Sequence, residues 1–296
     1  MSRILGVGAA SLTTILRVER IPATPTKVLA KDCIVLGDGM SASAVCAAAR
    51  LGAKAAWLGR LGQDATGDRI LADLTLAGVD VGQVRRAPEG RSSVSSVIVD
   101  AKGERLVVPF HDPALDPDPA WLPEAAIAGA DAVLVDVRWV EGAARALEIA
   151  RATGRIAMLD GELTAPGILE RLMPLATHVV FSEAGLGLAY GGDLVAAARA
   201  LQGFVGVTRG PRGFAWIENG RARESPGFAV EAVDTLGAGD VFHGAFALGL
   251  VEGMDIARAA RFANAAAAIK CSRFGGRLGA PDRAQVEALL QIRPDS

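Results

Sequence analysis

Apolar runs and amphipathic stretches alternate along most of this chain. Ile4–Val7 is a short apolar run closed by Gly8, the pattern of a buried strand. Ser41–Leu51 is rich in alanine and stops at Gly52, as a helix with a glycine terminus does. Ala55–Leu61 reads as a second strand, and Thr66–Ala77, halted by Gly78, as a second helix. Ala132–Val137 and Ile156–Leu159 are continuous apolar runs, which suits strands covered on both faces. Helical spacing over Gly142–Ala152 and Ile168–Met173 separates such runs, and His178–Phe181 and Phe204–Thr208 continue the series. Gly239–Glu252, Asp255–Cys271 and Asp282–Leu290 read as helices. The alternation predicts an α/β fold, with a central, mostly parallel sheet flanked by helices.

Two stretches depart from this rhythm. Ser93–Asp100 and Glu104–Phe110 are β-rich and flank Ala101-Lys102-Gly103, so they predict a hairpin. Thr13–Leu36 holds further β-branched residues broken by Pro22 and Pro25. Segments of roughly 12–36 and 91–112 are therefore expected to form a small β-sheet lid inserted in the α/β body. No repeat or linker divides residues 1–296, which read as a single domain.

Composition narrows the function classes. Of the 296 residues, 51% are apolar and 22% charged, so the chain can bury a sizeable core. Its net charge of −2 argues against a protein built to neutralise nucleic-acid phosphates. Cys33, Cys46 and Cys271 lie far apart without C-x-x-C spacing, which points to reduced thiols in a cytoplasmic protein. No signal-peptide pattern and no run of 18 apolar residues is visible, so neither export nor a membrane span is expected.

The string that carries chemistry is Asp234-Thr235-Leu236-Gly237-Ala238-Gly239-Asp240, followed by a helical segment. Gly237 and Gly239 allow a tight turn and close approach to a ligand. The first amides of the following helix have no helical partner and suit a phosphate. A carboxylate at that place is suited to accepting a proton from an attacking hydroxyl. The alternative reading of Asp240 is a helix cap.

The same string, D-T-x-G-A-G-D, resembles the signature of the ribokinase-like (PfkB) carbohydrate kinases. The likeness extends over Ala48–Gly52, Gly59–Gly62 with Asp64 and Gly67, Gly78–Asp80, Val207–Gly210 with Gly213, and Ala263–Ala268. It implies a Rossmann-like ribokinase fold with a β lid, and homodimers joined through the lids. It implies that Asp240 is the catalytic base and that Gly237, Ala238 and Gly239 form an anion hole. It also implies that Ser182, Thr208, Gly210, Gly213 and Asn264 surround ATP, with Mg²⁺ on its phosphates and a monovalent cation such as K⁺ left open. Asp136–Trp139, Leu159–Gly161, Phe181–Glu183, Gly239–Ala245 and Lys270–Arg277 look most like bacterial sulfofructose kinases. The acceptor implied is a small sugar, including an anionic ketose such as 6-deoxy-6-sulfofructose. Ribokinase, fructokinase or 2-keto-3-deoxygluconate kinase specificity stays open.

The chain also departs from the family. The Asp usually found after the first strand is Thr13 here, and the following glycine motif reads Gly37-Asp38-Gly39-Met40-Ser41-Ala42-Ser43. Asp38 is expected to replace the missing carboxylate, with Gly39, Ser43 and Thr13 around the sugar. Asp38 as a solvated turn residue is the other reading. The family's N-x-x-E motif, whose Glu helps order Mg²⁺, falls at Ser182-Glu183-Ala184-Gly185 and matches at neither end. Glu183 is the carboxylate expected to reach the metal through water. Arg138 and Lys27 are candidates for an anionic substituent, against a reading as surface ion pairs. His243 reads as a packing or supporting residue. Gly6-Val7-Gly8 does not extend to G-x-G-x-x-G, and no G-x-x-x-x-G-K-[ST] exists. The competitor from another class is a non-catalytic sugar or nucleotide sensor on the same fold.

Overall fold

The computed structural model describes residues 1–115 and 117–293. In chain order its strands are β1 (Arg3–Val7), β2 (Ser11–Arg17), β3 (Asp32–Asp38), β4 (Lys54–Leu58), β5 (Arg60–Gly62), β6 (Val79–Asp80), β7 (Arg85–Ala87), β8 (Ser93–Val99), β9 (Arg105–Phe110), β10 (Ala132–Val135), β11 (Ile156–Gly161), β12 (His178–Ser182), β13 (Phe204–Thr208), β14 (Phe214–Glu218) and β15 (Arg221–Ser225). The helices are α1 (Met40–Arg50), α2 (Ala65–Leu76), α3 (Glu124–Gly129), α4 (Val140–Ala152), α5 (Ile168–Leu172), α6 (Glu183–Tyr190), α7 (Leu194–Ala200), α8 (Ala238–Val251), α9 (Ile256–Cys271) and α10 (Arg283–Ile292).

The main sheet has the order β15-β14-β13-β12-β11-β10-β1-β4-β6. Strands β13 to β6 run parallel, and β14 and β15 are antiparallel additions at one edge. Side chains of successive residues leave a strand on opposite faces, and this sorts the apolar runs into two cores. Ile4, Leu134, Met158 and Val180 pack with α1, α8 and α9 on one face. Leu5, Val133, Val135, Leu159 and Phe181 pack with α4, α5 and α7 on the other. That two-sided burial is why these strands read as unbroken apolar runs.

A four-stranded sheet in the order β3-β2-β8-β9 forms the lid. Its β8–β9 hairpin and its β2–β3 pair are antiparallel, and β2 joins β8 in parallel. Ile15, Leu36, Val97 and Val99 make a small core of its own, against Leu236 and Phe274.

Some elements differ from the sequence expectation. The strand expected over Ala55–Leu61 is broken at Gly59, and β5 leaves the main sheet to pair with β7. The β14–β15 hairpin was not anticipated, although Asn219-Gly220 is its two-residue turn and both residues have positive φ, 51° and 73°. Helices α3, α6 and α7, of 6, 8 and 7 residues, are too short to show a clear period. Among the described residues no helix is long and apolar enough to cross a membrane.

Candidate active site

The parallel strands β10 to β13 end together, and the residues at those ends meet the start of α8 and the base of the lid. In open α/β sheets this carboxyl-end crevice is the usual ligand site.

The glycine turn before α8 is held from below. Asp234 is fully buried, and its carboxylate accepts from the amides of Leu236 (2.8 Å), Gly275 (3.0 Å) and Gly276 (2.8 Å). Gly237 caps α8 with φ +75°, a left-handed conformation that a side chain would strain. The Ala238 amide donates to Thr235 O at 3.3 Å, and the Val241 amide closes the first helical bond to Gly237 O at 3.0 Å. The Ala238 amide, expected in the anion hole with Gly237 and Gly239, is thus occupied, whereas the amides of Gly237, Gly239 and Asp240 have no hydrogen-bond acceptor among the described residues. His243, one turn along α8, points Nδ1 at Gly239 O (2.7 Å) and Nε2 at Val180 O (3.2 Å), which fixes the turn to β12. His243 is therefore a supporting residue.

The Asp240 side chain makes no cap, hydrogen bond or ion pair among the described residues. Burial holds its carboxyl well above the usual carboxylate range, and the negative charges of Asp160, Asp38, Glu162 and Asp136 push the same way. Asp160 is itself pushed up to about 6 by burial, although His243, 3.6 Å away, opposes that.

Asp38 ends β3 at the lid base. It is buried and accepts from Ser43 Oγ, so it is no solvated turn residue. Gly39 caps α1 beside it. The row Asp38, Ser11, Ser93 runs across the lid sheet, and Thr13 and Ser95 form the next. All five are buried, so the part of the lid nearest the body presents hydroxyls and one carboxylate inward. Asp136, fully buried, ties this corner together. Its carboxylate accepts from the amides of Ala9 (3.2 Å), Ser41 (3.2 Å) and Arg138 (2.9 Å) and from Ser41 Oγ (2.6 Å).

The residues expected around a nucleotide cluster at the ends of β12 and β13. Ser182 caps α6, accepting from the Gly185 amide at 3.0 Å and donating to Glu162 at 2.9 Å. Thr208 Oγ1 donates to Phe181 O at 3.2 Å. Gly210 and Gly213 form a tight turn closed by Gly213 N to Gly210 O at 3.0 Å. Asn264 is buried and holds Ser225 O (3.0 Å) and Pro226 O (3.2 Å), so it supports the neighbouring segment.

Glu183 is engaged elsewhere than expected. Its exposed carboxylate is paired with Arg212. At Gly185, where the family motif has its Glu, a Cβ would lie 1.7 Å from Gly161 O, so no side chain fits. Glu162, at the end of β11, instead brings a carboxylate against Ser182.

The two predicted cations sit on different elements, and both are exposed. Lys27 lies exposed in the loop between β2 and β3. Arg138 is exposed at the end of β10 and donates to Leu163 O at 3.2 Å. Two further groups stand near it. His111, hydrogen-bonded to Ser93 Oγ at 2.9 Å, is held below its ordinary pKa by burial and then by the charges of Arg138 and Arg60. The Arg60 guanidinium lies over Trp139, 4.8 Å from the ring centre. Trp139 is buried, stacked on Trp121 at 5.6 Å, and serves as packing beneath Arg60.

Comparison with known proteins decides the family. The model of the pfkB family of carbohydrate kinases matches residues 1–283. The chain belongs to this family, and it is a carbohydrate kinase. An ATP-dependent ribose-1-phosphate kinase from Halopiger xanaduensis is 30% identical over 304 residues, covering 100% of both chains. A crystal structure from Agrobacterium tumefaciens, provisionally named a ribokinase, is 43% identical with a TM-score of 0.95, covering 100% of this chain and 99% of that one. Arabidopsis thaliana ribokinase, solved with ribose and ATP, is 25% identical with a TM-score of 0.82, covering 98% and 99%.

In this kinase, Asp136, Asp160, Glu162 and Arg60 are crevice residues to which the sequence alone assigned no role. Asp160 directly follows an apolar strand run and Asp136 interrupts one near its end, where α/β ligands gather, and that signal was available. Glu162 and Arg60 sit in loops and short strands whose direction no periodicity reports.

Proposed function

We propose that this kinase transfers the γ-phosphoryl group of ATP to a hydroxyl of a small sugar, with Asp240 as base. The sugar O–H proton passes to the Asp240 carboxylate as the new O–P bond forms and the bond from Pγ to the β,γ-bridging oxygen breaks, releasing ADP. The amides of Gly237, Gly239 and Asp240 receive the charge on the moving group, aided by the α8 dipole. The single observation that carries this reading is an unpaired carboxylate beside unpaired amides at one helix start. A sugar or nucleotide sensor is not favoured, because both halves of that device are intact. Asp240→Asn should lower kcat by at least ~100-fold while ATP binding persists. A near-unchanged kcat would refute the role.

ATP lies along Ser182, Thr208, Gly210 and Gly213, next to the segment that Asn264 holds. Mg²⁺ neutralises its phosphates when bound. Glu162, whose Oε2 has no partner among the described residues, would hold the metal beside Ser182. Glu183 is not given that task, because Arg212 occupies it.

The sugar sits under the lid, against Asp38, Gly39, Ser43 and Thr13. Asp38 takes the place of the carboxylate that Thr13 lacks. An anionic ketose is our first choice of substrate, with 6-deoxy-6-sulfofructose as the example. Arg138 and Arg60, whose charges both act on His111, support it, and Arg60 replaces Lys27 as the second cation. A kinase screen over ribose, fructose, 2-keto-3-deoxygluconate, fructose phosphates and sulfofructose tests the choice. Preference for a neutral sugar would remove it.

The kinase is a cytoplasmic homodimer joined through the lids. Its cysteines are free, as in reducing compartments. The outward lid face supports the dimer. Val35, Val94, Leu106, Val108 and Phe110 are all exposed there, and β9 is an open edge.

A further inference from the structure

Beneath the glycine turn lies a buried cation. Lys270, on α9, is 0% exposed and is the one fully buried lysine among the described residues. Its ammonium donates to the main-chain oxygen of Asp234 at 2.5 Å and lies 3.2 Å from Asp234 Oδ2. Asp234 is the residue that opens the phosphate-binding string. The next residue after the lysine also grips it: Cys271 O accepts from the amides of Val233 (2.8 Å) and Asp234 (3.1 Å). The remaining bonds of the Asp234 carboxylate reach Leu236, Gly275 and Gly276, so one buried positive charge anchors both loops that frame the turn.

A carbonyl and a carboxylate facing one desolvated positive charge are the donors that a hard metal cation takes. The ammonium already fills that place. A K⁺ ion added there would bring a second positive charge into the same dry pocket, against strong repulsion. The residues present therefore do not fit the monovalent cation that the family resemblance leaves open.

We propose that the Lys270 ammonium is a tethered monovalent cation that holds Asp234 and the glycine turn in their phosphate-binding shape, so that this kinase needs no added K⁺ or NH₄⁺. The proposal rests on the kinase reading above. Lys270 is a positioning residue, acting through Asp234.

The test compares nucleotide affinity and thermal midpoint in tetramethylammonium, potassium and ammonium chloride at fixed ionic strength. The nucleotide is a non-hydrolysable ATP analogue with Mg²⁺, measured by titration calorimetry. The wild type should show the same affinity and midpoint in all three salts. Lys270→Ala should lose ~10-fold or more in affinity and about 10 °C in midpoint, the scale of a broken buried pair. Potassium and ammonium should restore both, because they enter the vacated space, while tetramethylammonium should not. Adding Asp234→Asn to Lys270→Ala should abolish that rescue. A wild type whose affinity rises several-fold with potassium overturns the proposal, even if the variants fail to fold. So does a folded Lys270→Ala that is indifferent to small cations. A wild type that binds no nucleotide in any salt would instead overturn the kinase reading, and the midpoints would still judge this one.

Discussion

Thr235 Oγ1 accepts a hydrogen bond from Arg105 Nη1 at 2.8 Å and donates one to Gly103 O at 3.2 Å. The tip of the lid hairpin thus touches the glycine-rich string Asp234–Asp240 directly. A second link lies at the lid base, where Arg277 Nε donates to Gly37 O at 2.6 Å. Lid position and turn geometry are therefore coupled through named contacts, and a lid that closes over substrate would carry the turn with it. Thr235→Val removes the hydroxyl and keeps the shape. It should lower kcat/KM about 10-fold through misplacement of the turn. The pair is exposed, so the thermal midpoint should stay nearly unchanged. Steady-state kinetics beside a melting curve checks both, and unaltered kcat/KM would uncouple lid from turn.

The acidic surroundings of Asp240 set a pH dependence. Burial and four neighbouring carboxylates raise its pKa, and a base works only when deprotonated. Activity should fall as pH drops through that raised value. Asp160→Asn removes one like charge, so the acid limb of kcat/KM should move to lower pH. The stability effect has the opposite sense from that of a salt-bridged carboxylate. A raised folded-state pKa means the native protein binds the proton more tightly than the unfolded chain. The cost to stability is absent below the ordinary carboxylate range and grows as pH rises through the folded value. Asp240→Asn should therefore raise the thermal midpoint at neutral pH, and the gain should vanish in acid. A gain that persists in acid would mean that Asp240 is not strained by its charge.

Much of this architecture was legible in the chain. Strands such as β10 and β12 are buried on both faces, so their apolar runs announced themselves, and the string from Asp234 to Asp240 pointed to its own turn. What stayed hidden was lateral placement. Glu162 reaches Ser182 because β11 and β12 are neighbours in register, Gly161 opposite Phe181, and a linear reading has no access to that pairing. Lys27 and Arg138 look alike as isolated cations, and only the fold sets one in an open loop and the other at a strand end. Lys270 carries no pattern of its own in the chain, while its burial against Asp234 joins residues 36 positions apart.

The two glutamates at the nucleotide end can be told apart by their metal requirement. Glu162 has a carboxylate oxygen to offer beside Ser182, whereas Glu183 is neutralised by Arg212. Glu162→Gln keeps the hydrogen bond that Ser182 donates and removes the charge. It should raise the Mg²⁺ concentration for half-maximal activity by ~10-fold, the usual effect of a lost outer-sphere carboxylate. Glu183→Gln should leave that requirement where it is. The Mg²⁺ titration can also be read from calorimetry of MgADP binding, which needs no sugar. Equal responses from the two variants would count against Glu162.

The outer lid face predicts the oligomer. Register pairs Phe110 with Val94 and Leu106 with Ile98, on either side of Val108, so the exposed apolar residues of β8 and β9 form one patch, with Ser96 and Thr14 between it and Val35. Val108 is 58% exposed on edge strand β9. A lysine there would place a charge in the middle of a lid-to-lid contact without disturbing either core, and edge lysines are a common block to strand pairing. Val108→Lys should convert a dimer into a monomer by sedimentation velocity, with the thermal midpoint of the body retained. Because Ser93 and Ser95 face inward from the strand next to β9, loss of the dimer should also loosen the sugar site and raise KM for sugar more than KM for ATP. A wild type that sediments as a monomer would leave the patch without this partner.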